Sequence, residues 1–174
     1  ARYVQPPPNT RLVMERLADE PGEAPDQIGF TVREMADFGQ RALTDIGLTS
    51  GFSRLVIFFG HGSHSLNNPH KSTYDCGACT GSPGSPNARA LAAMLNDVRV
   101  RQLLAERDLI IPDTTYFLGG LHNTGDDTVS FLDLDLLPPS HQHDFKAAKE
   151  ALDEACRRNA HERCRRFDAA PLDL

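Results

Sequence analysis

Leu55-Val56-Ile57-Phe58-Phe59 runs directly into Gly60-His61-Gly62-Ser63-His64, and the polar segment beyond it reaches Asp75-Cys76-Gly77-Ala78-Cys79. Five consecutive apolar residues, rich in β-branched and aromatic types, read as a strand covered on both faces. The glycines on either side of His61 mark where that strand is expected to stop and the chain to turn sharply. Imidazole and thiolate are both good zinc ligands. The rest of the chain is expected to serve as scaffold for this corner.

Working outward, Thr31-Val32-Arg33-Glu34 is a capping box, and Val32, Met35, Ala36, Ala42, Leu43 and Ile46 recur at helical spacing up to a stop at Gly47. Gly39 inside that helix costs about 1 kcal/mol against alanine, which predicts close packing there. Residues 1–29, rich in proline, read as a linker or a wrap, with a short helix predicted over 11–18. Downstream, Ser85 and Pro86 predict a helix start, with Ala88, Leu91, Ala92, Leu95 and Val98 as its stripe and an end near Arg107. Thr114–Leu118 is the second predicted strand, leading into Gly119-Gly120-Leu121-His122-Asn123-Thr124. A stretch rich in Asp and Leu carries no assigned element. Pro138-Pro139-Ser140 then opens a last helix with Phe145, Ala148, Leu152, Ala155, Cys156, Ala160 and Cys164 on one face.

Helix, strand, helix, strand, helix is the order of an α/β fold. The expected architecture is a partial parallel sheet with flanking helices, in a Rossmann-like three-layer arrangement. Residues 30–168 form the α/β half-domain carrying the His/Cys loop, and 169–174 a tail. Both strands then finish at one edge, which places His61 near His122 where ligands of open α/β sheets sit.

A chain of 174 residues fits one domain. Its opening residues do not read as a domain start, so a piece of a longer polypeptide is expected. The net charge of −6 argues against a nucleic-acid partner. No run approaches the roughly 20 apolar residues of a membrane span, and no signal-peptide pattern occurs. Cys76 and Cys79 form C-x-x-C in a polar loop, where a metal or redox role is expected ahead of a structural disulfide; Cys156 and Cys164 fall on the last helix.

His61, His64, Cys76 and Cys79 crowd into one short stretch, and two metal models follow from them. Either all four enclose a structural zinc, or His61 and Cys76 alone are ligands and the remainder come from outside this chain. Asp75 reads as an acceptor orienting a ligand or as a local turn former. His64 and His70 read as loop polar groups, and Cys79 as a spare ligand or a packed thiol. Asn67, Asn68 and Asn87 are candidates to satisfy loop backbone. Arg89 reads as a partner for a carboxylate or bicarbonate, or as a surface ion pair. His122 and Asn123, with Thr124, Asp126 and Asp127, form a second polar loop that either lines a pocket or caps itself. The basic end of the last helix, Arg157 to Arg166, reads as a solvated face or a docking surface.

Gly60-His61-Gly62-Ser63, Asn67-Asn68-Pro69, Tyr74-Asp75-Cys76-Gly77-Ala78-Cys79, Pro86-Asn87-Ala88-Arg89 and His122-Asn123-Thr124 together resemble the DabA family, over roughly residues 28–168. That family comprises soluble subunits of a bacterial inorganic-carbon uptake system, with a zinc site similar to that of β-carbonic anhydrases. Such a site uses an early Cys-x-Asp pair and a later histidine and cysteine. The later pair falls on His61 and Cys76, while no C-x-D occurs in this sequence. The resemblance therefore implies one Zn2+ shared with ligands outside this chain. It also implies hydration of carbon dioxide to bicarbonate in the longer parent, with this piece inactive alone. The implied partner is a membrane subunit resembling the proton-conducting subunits of respiratory complex I, and the implied location is cytoplasmic, peripheral at the inner face of the cell membrane. An α/β-hydrolase is disfavoured by the lack of G-x-S-x-G, and a nucleotide site by the lack of G-x-G-x-x-G or a P-loop.

Overall fold

The computed structural model describes residues 11–64, 70 and 73–166. Helix α1 spans Val32–Asp45 and begins as its capping box requires. Thr31 Oγ1 accepts from the Glu34 amide at 3.2 Å, and the Glu34 carboxylate accepts from the Thr31 amide at 2.7 Å. Gly47, at φ +75°, closes the helix in a Schellman arrangement, with the Leu48 amide on the Leu43 carbonyl and the Gly47 amide on Thr44. At Gly39 a Cβ would stand 2.9 Å from Leu95 Cδ2, so this helix packs on the next one where the mid-helix glycine predicts it.

Strands β1 (Leu55–Gly62) and β2 (Tyr116–Asn123) are parallel, in register from Leu55 opposite Tyr116 to Gly62 opposite Asn123. Between them lie α2 (Ser85–Asn96) and α3 (Val98–Ala105), the crossover that parallel neighbours need. The single helix expected to run to about Arg107 is broken at Asp97. Asp97 is extended, and its carboxylate accepts from the Arg99 amide at 2.8 Å, so an aspartate read as helix interior acts as the cap of α3. The side chain of Asn96, at the end of α2, pairs with β2 as a short strand would. It donates to the Phe117 carbonyl at 2.8 Å and accepts from the Phe117 amide at 3.0 Å.

Several boundaries differ from expectation. β1 does not stop before Gly60 but continues through His61 to Gly62, and β2 starts at Tyr116 and continues through both glycines to Asn123. A third strand, β3 (Thr128–Phe131), returns antiparallel to β2 after the turn at 124–127, so the sheet is mixed, in the order β1-β2-β3. β1 therefore borders the sheet, and its residues 55–60 are half-buried where full cover was expected. The segment predicted helical over 11–18 is extended, with Glu15 bridged to Phe30 and the Phe30 amide on the Met14 carbonyl at 2.7 Å. Arg16 holds it there, inserting a buried guanidinium that pairs with Glu34 at 2.7 Å.

The layers follow from strand alternation. Val56, Phe58 and Phe117 face α1, α2 and α3, where Met35, Leu43, Leu95, Val100 and Leu104 complete a buried core. Phe58 and Phe117 stack with ring centroids 5.7 Å apart. On the other face, Phe59 meets Phe131, which meets Phe145 of α4 (Gln142–Arg165) edge-on at 4.9 Å. The predicted stripe of α4 is only partly covered, because the helix lies along β3 at the side of the sheet, and none of its residues is fully buried.

Phe117 is 1% exposed in that core. Phe117→Ala is expected to lower the unfolding free energy by about 3–5 kcal/mol, and Ile110→Ala, at a solvent-facing position, by no more than about 0.5 kcal/mol. Denaturant titration of the two variants checks the contrast, and equal losses would show that the core does not centre on β2.

Candidate functional site

The two strand ends form one edge, where His61 lies opposite His122 and Gly62 opposite Asn123. The loop leaving β1 returns to this edge at Gly84, whose amide donates to the His61 carbonyl at 2.8 Å. That return crosses β1 so closely that a Cβ on Gly60 would stand 2.1 Å from the Gly84 carbonyl carbon. Only glycine fits at position 60, and it places the start of α2 directly on the strand.

Asp75 joins the loop to the strand end from the other side. It is buried, and its Oδ1 accepts from the Ser63 amide at 2.8 Å. The residue before Cys76 is thus fixed two positions beyond His61. Cys76 opens a small closed turn: its amide donates to the Ser82 carbonyl and its carbonyl accepts from the Gly81 amide, both at 3.1 Å. The Cys79 thiol donates to Cys76 and, with the backbone amides of Cys79 and Ala78, holds the Cys76 thiol below its ordinary pKa; the Cys79 thiol is pushed up, chiefly by Cys76. The form of cysteine that ligates a metal is the thiolate.

The second loop is tied to the first. The Thr124 amide donates to the Gly62 carbonyl at 2.8 Å, and the buried Asn123 accepts at Oδ1 from the amides of His64 at 3.0 Å and Gly125 at 3.1 Å. Asn123 Nδ2 is buried and has no partner among the described residues. His122 Nε2 lies 3.1 Å from Asp127 Oδ1, and Asp127 Oδ2 accepts from Asn159 at 3.0 Å and pairs with Arg163. Arg163, expected on a solvated or docking face, instead reaches back from α4 to this loop. The buried role of Asp127 was hidden in a run of polar turn residues; its only sequence signal is the Gly-Asp-Asp that precedes the alternating Thr-Val-Ser-Phe of β3.

Of the other candidates, Arg89 binds Asp133 through two contacts of 2.6 Å, so its guanidinium anchors the chain beyond β3. Asn87 donates to Cys79 Sγ at 3.2 Å. Asn67 and Asn68 lie outside the described residues. Alternation along β1 turns His61 toward the face of Phe59, whereas a Cβ on Gly62 would point to the other face, 3.3 Å from Asp75 Oδ1 and from Pro83 Cβ. Among the described residues, which include His61, His64, Cys76 and Cys79, no three His, Cys, Asp or Glu side chains converge as a metal-holding group.

Asp75→Ala should free the Ser63 amide and speed its hydrogen exchange by roughly tenfold to a hundredfold, while Asp75→Asn, which keeps an acceptor, should restore most of the protection. Exchange measured at that one amide decides it, and an unchanged rate in the alanine variant would remove Asp75 as the anchor.

A family model described as probable inorganic carbon transporter subunit DabA matches residues 1–173. The chain is 52% identical over 168 residues to the probable inorganic carbon transporter subunit DabA 2 of Rhodopirellula baltica, an alignment covering 97% of this chain and 16% of that protein. It is 49% identical over 174 residues to DabA 1 of Sorangium cellulosum, covering 99% of this chain and 17% of the relative. With the DabA of Methylococcus capsulatus the identity is 46% over 164 residues, or 93% of this chain and 15% of the relative. The chain thus spans only 15% to 17% of the length of these relatives. No solved structure matches it.

Proposed function

This chain belongs to the DabA family, and on that premise we propose that it contributes His61 and Cys76 to a zinc site, shared with ligands elsewhere in a longer protein, that hydrates carbon dioxide to bicarbonate for inorganic-carbon uptake. What carries the reading is the clamp at one strand edge: Asp75 on Ser63, and Gly84 on His61, keep the loop of Cys76 against the strand of His61. The donors also fit the metal. One imidazole and one thiol held below its ordinary pKa are half of a zinc coordination set, and no other described side chain completes it. His61 and Cys76 would hold the zinc, which when bound would supply a water acidic enough to give hydroxide for carbon dioxide at neutral pH.

The chain's own residues do the positioning. Asp75 orders the backbone between the two ligands. Asn123 orders His64 and Gly125 across the two loops and leaves Nδ2 as a buried donor at the same edge, suited to a bicarbonate oxygen. Hydration releases a proton for each bicarbonate. A membrane partner that conducts protons, at the inner face of the cell membrane, would make the reaction effectively one-way. The relatives' names as transporter subunits support a partner of some kind. In the proposal Arg89 and His122, held by Asp133 and Asp127, border the site.

In the full-length parent, His61→Ala and Cys76→Ala are each expected to abolish stoichiometric zinc and carbon uptake, with milder effects from His64→Ala and Cys79→Ala. Metal analysis and uptake assays on the four variants provide the check. The isolated chain should bind zinc weakly, since zinc sites take three or four protein ligands. One tightly held zinc per isolated chain, lost equally in all four variants, would overturn the shared site.

A further inference from the structure

The proposed metal site uses one thiol of the Cys76–Cys79 turn and leaves the other idle. The Cys79 amide donates to the Cys76 carbonyl at 3.0 Å, closing a four-residue turn over Gly77 and Ala78. Such a turn holds its first and fourth Cα atoms within about 7 Å, and a disulfide spans Cα separations of about 4.4–6.8 Å. The side chains follow the backbone. Both cysteines are free and half-buried, and Asn87, at the start of α2, holds Cys79 Sγ at 3.2 Å. The turn is clasped at its base by the pairing of Cys76 with Ser82, so closing the sulfurs need not move the strand. Cys156 and Cys164, the other two cysteines, lie on α4.

We propose that Cys76 and Cys79 form a reversible dithiol–disulfide pair that decides whether Cys76 is available to a metal. The oxidant is a low-molecular-weight disulfide such as oxidised glutathione. Cys76, as thiolate, attacks one of its sulfurs, forming a mixed disulfide and expelling the first glutathione thiolate. Cys79 loses its proton and attacks Cys76 Sγ; the new intramolecular bond forms as the second glutathione thiolate leaves. Two protein thiols are oxidised and one glutathione disulfide is reduced to two thiols, which take up the two protons released. Excess reduced thiol runs the sequence backwards. A sulfur tied in a disulfide has no thiolate to offer, so closure removes a metal ligand without any change of sequence. The effect on zinc rests on the shared-site reading above, whereas closure of the pair does not.

The test uses the full-length parent, reduced and then poised in glutathione mixtures of rising oxidised share. Free thiols are alkylated before tryptic digestion, and bound zinc is measured in parallel. Lys71 and Arg89 bound a segment with no Lys or Arg between them, so residues 72–89 leave as one peptide holding only these two cysteines. The expected result is conversion of that peptide from doubly alkylated to unalkylated and lighter by two hydrogens, with zinc released in step and both changes reversed by dithiothreitol. Cys79→Ser should keep its zinc under the same oxidising mixtures. A peptide that stays doubly alkylated, or stops at glutathione on Cys76, overturns the pair; closure with zinc retained overturns its control of the metal. A reduced parent that holds no zinc overturns the shared-site reading instead, and closure of the peptide still decides the pair.

Discussion

A methyl group at position 60 would collide with the backbone of Gly84, and much of the edge depends on that one close approach. The contact lets the long excursion after β1 come home onto the strand it left, so the beginning of α2 and the end of β1 become one unit. The loop between them is pinned again by Asp75, and the neighbouring loop is bonded to it through Thr124 and Asn123. The two excursions thereby share their hydrogen bonds. A charge-assisted bond to a buried carboxylate is stronger than a neutral one, so the Asp75 contact is the firmer of these ties.

Features written as local patterns were legible. The capping box, the stop at Gly47, the packing glycine at position 39 and the parallel pairing that brings His61 opposite His122 all follow from spacing and residue type. Less legible were features in which a residue's usual meaning is overridden by a distant partner. Glycines read as strand ends are strand interiors at positions 60, 119 and 120, because the chain packed against them comes too close for a side chain. Asp97 read as helix interior until its carboxylate was seen to cap the next helix. β3 was hidden because its four residues follow an acidic turn that reads as irregular.

The candidate site divides the same way. The grouping of two histidines and two cysteines near a strand end could be read directly, and so could the second polar loop. Which contacts serve the site could not. Arg89 and Arg163 are both cations beside the strand edge, yet each is engaged by a carboxylate, Asp133 and Asp127, that spacing alone does not single out.

The segment over 11–30 is fastened to the body by Met14 on the core, by Phe30 edge-on to Phe38, and by ion pairs that differ in depth. Arg16 is 5% exposed and, besides Glu34 at 40%, bonds the carbonyls of Ala18, Asp19 and Gly29, whereas Arg99 and Glu15 meet in the open, at 48% and 40%. Ionic strength acts on these unequally. At about 0.15 M the Debye length is about 8 Å, and exposed pairs are weakened while covered ones are much less affected. Rising salt would therefore loosen the Glu15 end first and leave Arg16 seated, so the strip gives from one side, like a hem whose outer stitch fails before the inner one.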